Sequence, residues 1–379
     1  MVRVTCLLAV ALLLISSGAA YSRSNASPTT LVWANHRIAA FAQDGGQIAW
    51  AGLNKDPSRH DRSKGCTWQV WIRLLGSKKQ KALVKRGGPT CYSYFGFDRN
   101  YQNYLALAGK RALWTMSTSS EFGFTHVVLV TASYSGTRDV QLEELLSEGG
   151  HGGPGDQLGG ISGDSSTLVY GVTTVGGTPE GCDDADTICT GGVISGGSVK
   201  RVTGAGKTMI SDAPTPAMIA ASGNRVAIVV AEAATRDGEV GPGSPATVVI
   251  EDAASGAGIG SFSPEGTPLA VALAPSVVAV LESTDGGRQI EFRTPAGALL
   301  RTTTVPTKAT GLSTTDEQAV FRVGLSIRTV HVAAGGSKTV AAATNTPIGL
   351  SIEGTRVAWA ENVMIRGVIR GRIRAITVR

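Results

Sequence analysis

The hydrophobic and polar positions of the chain repeat a pattern that is clearest near its end. Gly349–Ala360 reads as a short strand of small residues, a polar turn and a second, apolar strand. Divergent copies of this second strand occur seven times, and the fourth position of each copy is large and apolar. The copies are Gln47–Trp50, Arg111–Trp114, Thr167–Tyr170, Arg225–Ile228, Val277–Val280, Gln318–Phe321 and Arg356–Trp359.

The distance between copies indicates the fold. A period of about 40 to 65 residues, with further strand-like runs after each copy, is typical of the blades of a β-propeller. The abundance of glycine, 49 residues, and the charged fraction of only 17% favour short strands joined by turns over helices. We therefore predict an all-β fold, a single β-propeller of seven four-stranded blades.

Two parts of this assignment are less regular than the rest. The fourth strand of the first blade is predicted at Lys81–Lys85, and the third strand of the third blade lies somewhere between Ile188 and Val202. Gly204–Thr208 resembles a phosphate-binding loop, but an arginine occupies the position of the required earlier glycine and no strand-to-helix context exists. That segment is interpreted as a turn.

The last repeat ends after its third strand, so a four-stranded seventh blade needs a strand from elsewhere. Thr29–Ala34, which precedes the first complete repeat, is suited to that place. Pairing it with the C-terminal strand closes the ring and removes two exposed sheet edges. The alternatives are a six-bladed ring or an unpaired N-terminal strand.

The turns of the repeat suggest a family. Ser351-Ile352-Glu353-Gly354, Ser162-Gly163-Asp164-Ser165 and Ser222-Gly223-Asn224 each precede an apolar strand. In this respect the chain resembles the TolB-like or WD40-like β-propeller repeats, whose hallmark is a Ser-Pro-Asp-Gly turn before an Ile-Ala-Phe type strand. The likeness covers nearly all of the chain after its N-terminal segment. Proline is absent from all three turns and aspartate remains only at Asp164, so the resemblance implies the fold and no functional residues.

The N-terminal segment has the features of a secretory signal. Met1-Val2-Arg3 is followed by an apolar run from Cys6 to Ile15 and then by small residues up to Ala20. The run is shorter than the roughly 20 residues of a membrane-spanning helix. We expect residues 1–20 to be a signal peptide, 21–28 a linker and 29–379 the propeller of a secreted or extracytoplasmic protein. The protein would then have no transmembrane segment after cleavage. A buried N-terminal helix would need a polar periodicity that this stretch lacks, and an uncleaved anchor is the remaining alternative.

Cysteine usage agrees with export. Four cysteines follow the predicted signal, an even number that suggests two disulfides in an oxidising compartment. In the propeller topology Cys66 and Cys91 fall on one face, and Cys182 and Cys189 lie within one connection, so these are the pairings we expect. Metal ligation is the alternative, but neither a Cys-x-x-Cys pair nor a zinc-finger histidine spacing occurs.

Charge narrows the class of partner. In an exported chain, the net charge of +6 fits an acidic cell-envelope polymer, or solubility alone, better than it fits nucleic acid. The expected partner is a protein or a cell-envelope polysaccharide. No cofactor is indicated, and we expect a monomer. Asp183, Asp184 and Asp186 are weak candidates for calcium ligands, because they lack the glycine and distal glutamate of an EF-hand. A solvated acidic turn is the alternative.

The long insertions predict where binding occurs. In a propeller the connections between second and third strands, and those between blades, lie on one face. Nearly all the long insertions fall there, and they belong to blades 1 to 4: Asn54–Thr67, Gly87–Asn103, Ser117–Thr125, Ser147–Gln157, Val175–Thr190 and Ala231–Pro245. Elaborated loops on a rigid scaffold commonly carry function. The alternative is that they are neutral surface insertions.

Within this face, Cys91–Tyr104 gathers aromatic residues in a chain where they average 6%. Rings beside polar groups can stack on sugars or grip a peptide. Four residues of the segment are the predicted binding residues: Tyr94, Phe97, Arg99 and Tyr101. The alternative is that Tyr92, Phe95 and Phe97 pack beneath the loop, which leaves Tyr94 and Tyr101 as the better candidates for exposure.

No local catalytic signature is present, neither a Gly-x-Ser-x-Gly elbow nor a His-x-x-x-His pair. We therefore predict a non-catalytic binding propeller. The alternative is a propeller enzyme, a glycoside hydrolase, lyase or peptidase, for which carboxylates should converge in the central channel within about 10 Å. The predicted first strands carry acidic residues only in turns such as Asp164 and Glu353. A purely structural envelope role is a third possibility.

Overall fold

The computed structural model describes residues 27–53, 68–83, 105–119, 125–135, 139–147, 155–176, 194–204, 206–213, 216–231 and 245–378. Within these ranges the regular elements are 28 β-strands, and they form seven antiparallel blades of four strands each. In each blade the first strand is innermost, and the second and third strands lie successively further out. In blades 1 to 6 the fourth strand follows in chain order. The prediction of a seven-bladed all-β propeller is confirmed.

The first four blades follow the order of the chain. Blade 1 consists of β2 (Ile38–Asp44), β3 (Gln47–Leu53), β4 (Trp68–Leu74) and β5 (Gln80–Ala82). Blade 2 consists of β6 (Leu105–Ala108), β7 (Arg111–Ser119), β8 (Thr125–Ser133) and β9 (Val140–Ser147). Blade 3 consists of β10 (Gly155–Asp164), β11 (Thr167–Val175), β12 (Ile194–Thr203) and β13 (Gly206–Ser211). Blade 4 consists of β14 (Pro216–Ser222), β15 (Arg225–Ala231), β16 (Ala246–Asp252) and β17 (Gly258–Phe262).

The remaining blades have short connections. Blade 5 consists of β18 (Thr267–Leu273), β19 (Val278–Thr284), β20 (Gly287–Arg293) and β21 (Leu299–Val305). Blade 6 consists of β22 (Ala309–Thr314), β23 (Gln318–Val323), β24 (Ser326–His331) and β25 (Gly335–Ala342). Blade 7 consists of β26 (Ile348–Glu353), β27 (Arg356–Ile365), β28 (Val368–Thr377) and, as its outer strand, β1 (Thr29–Ala34).

The repeated second strand explains how the blades pack. Successive side chains of a strand point to opposite faces of its sheet, so a strand between two blades is buried on both sides. The large residue at position four always packs against the preceding blade, and the smaller residue at position three packs against the next one. In blade 1, Trp50 joins the cluster shared with blade 7, whereas Ala49 joins the cluster shared with blade 2.

The same rule holds around the ring. All seven residues at position four are 3% exposed or less: Trp50, Trp114, Tyr170, Ile228, Val280, Phe321 and Trp359. Seven hydrophobic clusters result, one between each pair of neighbouring blades, and one of them joins blade 7 to blade 1. The ring therefore has seven equivalent interfaces, which excludes the six-bladed alternative.

Ring closure depends on β1. It pairs with β28 from Thr29 opposite Ala375 to Ala34 opposite Gly371. Asn362 of β27 then fastens blade 7 to blade 1, because its side chain accepts a hydrogen bond from the Ile38 amide (2.8 Å) and donates one to the Ile38 carbonyl (2.9 Å). The predicted closure by the N-terminal strand is therefore present in the fold.

The irregular parts of the prediction become clear in blades 1 and 3. The fourth strand of blade 1 is only Gln80–Ala82, shorter and earlier than predicted. The third strand of blade 3 is β12, and β13 begins at Gly206, so part of the segment interpreted as a turn is the outer strand. Blades 2 and 3 also share one residue pair, Gly155 with Ser147, which joins them into an eight-stranded sheet.

The ring has two faces. On the face that we call the hairpin face lie the turns from first to second strands and from third to fourth strands. On the opposite face, the connection face, lie the connections from second to third strands and from one blade to the next. Any site of this protein can be placed by reference to these two faces.

Candidate functional site

A polar cavity occupies the hairpin-face end of the central channel. Its volume is about 830 Å³, and it is lined by the ends of the first strands of blades 1, 3, 4, 5, 6 and 7 with their turns. The sequence produces it because most of these first strands end in small and polar residues immediately before a tight turn. Six distant segments of the chain thus meet around one space.

The lining of this cavity is acidic. It includes five carboxylates, and among the described lining residues there is no lysine, arginine or histidine. The carboxylates belong to Asp44, Asp164, Asp316, Glu317 and Glu353. In a protein of net charge +6, this end of the channel is therefore locally negative.

Most of these carboxylates hold neighbouring blades together. Asp164 accepts a hydrogen bond from the amide of Gly223 in blade 4 (2.8 Å), and Asp316 accepts one from Ser276 in blade 5 (2.7 Å). Glu353 of blade 7 accepts a hydrogen bond from the Gly46 amide of blade 1 (3.1 Å). Charge-assisted bonds to backbone amides are a structural use of a carboxylate.

Asp44 binds amides of two other blades in the same way. Its carboxylate accepts hydrogen bonds from the Gly109 amide of blade 2 and the Ser165 amide of blade 3. The turn of blade 2 allows this because Gly109 adopts φ +53°, and a Cβ there would lie 2.8 Å from the Ser165 carbonyl oxygen. Asp44 thereby reaches across the four-residue β6 to Asp164.

Asp44 and Asp164 form a carboxyl pair. Burial raises the pKa of Asp44, and the hydrogen bond and negative charge of Asp164 raise it further, against the lowering effect of the two amides. Two carboxyls at hydrogen-bonding distance tend to share one proton. The pair could serve in proton transfer, but direct contact is closer than the 5 Å or more that separates the carboxyls of glycosidases.

The pair gives a testable effect on stability. Because the folded-state pKa of Asp44 is raised, its stabilising contribution is present at pH values below the pKa of the unfolded chain. That contribution is lost as the pH rises through the folded-state value. Asp44→Asn keeps an acceptor for Gly109 and supplies a donor to Asp164. We expect the variant to melt at a higher temperature than the wild type near pH 7, and the difference to shrink in acid.

Thermal melts of both proteins across this pH range measure the effect. Asp156→Asn is the matched control, because Asp156 accepts a hydrogen bond from Thr174 (2.7 Å) on the opposite end of β10. It should give no such gain at neutral pH. A lower melting temperature for Asp44→Asn at every pH would show that Asp44 is ionised and stabilises the fold as a hydrogen-bond acceptor between blades.

Two other buried glutamates bind backbone amides near the connection face. Glu361 is fully buried and accepts hydrogen bonds from the amides of Thr344 (2.7 Å) and Asn345 (3.1 Å), while Arg372 donates to its other oxygen (2.7 Å). Glu282 occupies the same place in blade 5 and accepts the Gly266 amide (2.8 Å). Each glutamate therefore fixes the chain as it enters its blade. The sequence repeat indicates this shared role, because Glu282 and Glu361 each lie two residues after position four of the repeated second strand.

A second charged group lies between blades 2 and 3. Glu143 accepts hydrogen bonds from Tyr170 (2.6 Å) and Lys200 (2.6 Å) and pairs with Lys207 (3.0 Å). Burial raises the pKa of Glu143, but these donors outweigh it and hold that pKa below its ordinary value. Burial and Glu143 together raise the pKa of the Tyr170 phenol. Lys207, from the segment that resembles a phosphate loop, is therefore part of an ion pair.

His36 lies beside the ring closure, in the connection from β1 to β2. Its ring stacks on Trp71 with centroids 4.1 Å apart, and Trp71 in turn stacks on Trp50 at 6.1 Å. Burial lowers the pKa of His36 to about 4, so the imidazole is neutral at physiological pH. This histidine belongs to the packing of blades 7 and 1.

The connection face shows a strong asymmetry between blades. In blades 1 to 4, strands on this face are joined by residues 54–67, 83–104, 120–124, 148–154, 176–193 and 232–245. In blades 5 to 7 the second and third strands are joined by 285–286, 324–325 and 366–367. The strand ends thus place the five connections of seven residues or more on one face, all of them in blades 1 to 4.

The residues predicted from sequence belong to those long connections and lie outside the described residues. They are the binding candidates Tyr94, Phe97, Arg99 and Tyr101, the cysteines Cys66, Cys91, Cys182 and Cys189, and the acidic candidates Asp183, Asp184 and Asp186. Across the part of the chain that the structure does describe, no group of three or more His, Cys, Asp or Glu residues is arranged to hold a metal ion.

Sequence reasoning missed the carboxyl pair. The available signal was an acidic residue at the last position of the first strand in three blades, namely Asp44, Asp164 and Glu353. Spacing alone does not show that the first two meet, because they come from blades that are not adjacent. Their meeting depends on the shortness of β6 between them.

The likenesses of this chain to known proteins are distant. No family model matches the chain, and no curated protein matches it. Solved structures that it resembles include the β-propeller domain of the Trilobed protease from Pyrococcus furiosus, at 8% identity and a TM-score of 0.48. That alignment covers 86% of this chain and 91% of the protease domain.

Two further matches also cover most of this chain. Pyrococcus horikoshii acylaminoacyl peptidase matches at 9% identity and a TM-score of 0.49, covering 89% of this chain but 50% of the peptidase. BamB from Moraxella catarrhalis matches at 10% identity and a TM-score of 0.39, covering 92% of this chain and all of BamB (100%). The fold itself defines the class of protein, a seven-bladed β-propeller. Likenesses this distant carry no function.

The described residues also bear on membrane insertion. Among them, no helix has the length and apolar character needed to cross a bilayer.

Proposed function

We propose that this protein is a secreted, non-catalytic β-propeller that binds a protein or an acidic cell-envelope polysaccharide through the long connections of blades 1 to 4. The observation that carries the proposal is the asymmetry of the connection face. Seven equivalent interfaces form a rigid ring, and the long connections emerge from one side of one face. Loops held by a rigid scaffold are the usual place for recognition.

The proposed contact residues are Tyr94, Phe97, Arg99 and Tyr101, in the connection between β5 and β6. Aromatic rings supply stacking surfaces for sugars, and an arginine supplies donors for acidic groups. The disulfides Cys66–Cys91 and Cys182–Cys189 are part of this proposal, since each would tie down a long connection. A cross-link of this kind contributes about 3 kcal/mol in the chain-entropy description.

Binding of the mature protein to purified cell-wall glycan, measured by co-sedimentation, tests the proposal. Tyr94→Ala combined with Tyr101→Ala should weaken binding about 10-fold or more, because each aromatic contact is worth about 0.5–1.5 kcal/mol. The melting temperature should change little, since neither residue belongs to the 28 described strands.

The matched control is Asp285→Ala combined with Leu325→Ala, which alters the short turns of blades 5 and 6 on the same face. It should bind like the wild type. Wild-type binding by the double tyrosine variant would contradict the role of the aromatic segment. Equal losses in both variants would move the contact away from blades 1 to 4.

A second candidate function rests on the carboxyl pair. Asp44 and Asp164 converge in the channel, as the enzyme alternative requires, and a carboxyl with a raised pKa can act as a general acid. Against it stands the use of both groups as acceptors for backbone amides. A hydrolytic activity on glycosides or peptides that Asp44→Asn abolishes, without loss of stability, would favour this alternative over a binding role.

A further inference from the structure

The hairpin between β27 and β28 extends beyond the sheet of blade 7. The inner strand β26 stops at Ile348 opposite Ala360, and the outer strand β1 stops at Ala34 opposite Gly371. The two central strands continue pairing to Ile365 opposite Val368. Five residues of β27 therefore run past the end of its inner neighbour, a distance of about 16 Å.

Blades 5 and 6 have no such extension. In blade 5 the first strand pairs as far as Thr267 opposite Ser283, one residue before the end of β19. In blade 6 it pairs as far as Ala309 opposite Val323, the last residue of β23. The projecting ribbon is thus a specific feature of blade 7 when it is compared with its two preceding neighbours.

The base of the ribbon is held firmly. Asn362 makes its two hydrogen bonds to Ile38, and the Gly371 amide donates to the His36 carbonyl (2.8 Å). A Cβ at Gly371 would lie 2.5 Å from a side-chain carbon of Ile38, so blade 1 packs directly against the base. The ribbon therefore leaves the ring at a defined place on the connection face.

The outer part of the ribbon, Val363–Arg370, is called the ribbon tip here. It contains two cross-strand apolar pairs, Met364 with Ile369 and Ile365 with Val368. Met364 is 64% exposed and Val368 is 54% exposed. The apolar side chains at the end of this narrow ribbon are exposed on both of its faces, and they belong to none of the hydrophobic clusters formed by the described residues.

The charge of the ribbon tip is entirely positive. Its sequence contains Arg366 and Arg370 and no acidic residue. Neither arginine has an ion pair or hydrogen bond with any residue that the structure describes, in contrast to Arg372 and Arg374 at the base, which pair with the buried Glu361. The arginines that project are thus available for an external anion, whereas the arginines of the sheet are not.

We propose that the ribbon tip binds an anionic lipid surface. Apolar side chains at the end of a narrow element can enter the interfacial layer of a bilayer, and adjacent basic side chains attract anionic headgroups. A protein partner fits less well. A stable protein interface buries about 800 Å² on each side, and the ribbon tip, the end of two strands, is small for such a contact. The contact would turn the connection face toward the lipid surface.

This inference does not depend on the long connections or on any residue of the aromatic segment. The two proposals share a face but are tested with different ligands. Loss of lipid binding would leave the glycan experiment unaffected, and the reverse also holds.

Flotation of the mature protein with vesicles tests the inference. We expect binding to vesicles of equal parts phosphatidylglycerol and phosphatidylcholine that falls with added salt, and no binding to phosphatidylcholine alone. Arg366→Asn combined with Arg370→Gln should weaken binding by about 30-fold, since each basic residue near an anionic surface contributes a factor of about five.

These substitutions preserve the hairpin. Arg366 has φ +50°, a left-handed conformation that asparagine tolerates, and Asn-Gly is a favoured pair for a two-residue hairpin turn. Met364→Ser combined with Val368→Thr removes the apolar side chains while keeping the strands. It should weaken vesicle binding and leave its dependence on salt unchanged.

Two matched controls separate the ribbon tip from general surface effects. Lys79→Gln with Lys110→Gln removes two charges from the hairpin face, and Met209→Ser removes a side chain 63% exposed on the rim. Both should bind like the wild type. The proposal would be overturned if the wild type bound neutral and anionic vesicles equally well. It would also be overturned if the arginine variant bound like the wild type, or if the control variants lost as much binding as the ribbon-tip variants. A further contrary outcome is a protein that does not bind vesicles but forms a dimer in sedimentation velocity, with the dimer lost when Met364 is replaced.

Discussion

Replacing Trp359 with alanine should lower the free energy of unfolding by about 3–5 kcal/mol, the usual cost of removing a buried aromatic side chain. Trp359 is fully buried and fills the space between blades 6 and 7 with Val320, Ile327 and Ile376. Blades 6 and 7 pack against each other mainly through this cluster, so the cavity cannot be filled without moving a whole sheet. Chemical denaturation followed by circular dichroism measures the loss.

Two comparisons make this result specific. Trp33→Ala removes a tryptophan that is 50% exposed on β1, and it should cost about 1 kcal/mol or less. Trp359→Phe should be far milder than the alanine variant, because Phe321 occupies the equivalent position in blade 6. Equal costs for Trp33→Ala and Trp359→Ala would mean that position four does not hold the blades together.

Val32→Asp should be nearly as damaging, with a loss of about 3 kcal/mol or more, because it places an unpaired charge in a buried site. Val32 is 3% exposed and belongs to the cluster between blades 7 and 1. The new carboxylate can be hydrated only if β1 separates from β28. We therefore expect the amides of β28 that face β1 to exchange hydrogen faster, together with the lower stability.

Thr30→Asp is the control on the same strand. Thr30 is exposed and lies opposite Arg374, so an acidic side chain there has both water and a cation nearby. Its stability should stay within about 0.5 kcal/mol of the wild type. A Val32→Asp protein that unfolds like Thr30→Asp would show that β1 contributes little to closure.

The sequence was sufficient for the scaffold because the scaffold is repetitive. An apolar strand with a large fourth residue is needed wherever a second strand lies between two blades, and seven independent copies made that pattern visible. Strands with weaker constraints were harder to locate. The outer strand β13 has four exposed residues at its start, Gly206–Met209, so no hydrophobic alternation marked it.

The site could not be predicted in the same way. Ser162, Asp164 and Glu353 were noticed as turn residues, but Asp44 gave no sign of its partner. Contact between Asp44 and Asp164 requires the channel geometry and a short β6, neither of which leaves a local pattern. The ribbon was hidden for a related reason, since the sequence shows the length of β27 but not where β26 and β1 stop beside it.

The closure strand also has a consequence for the order in which the chain can fold. Thr29 hydrogen-bonds to the Ala375 carbonyl, across 346 residues of sequence. During synthesis the first strand of the propeller must therefore wait, with its edge unpaired, until the last strand is made. Blades 1 to 6 can each assemble from local segments, but the ring itself closes in a single late step. An interruption of synthesis before β28 would leave an open ring with two unprotected sheet edges, a species prone to aggregation.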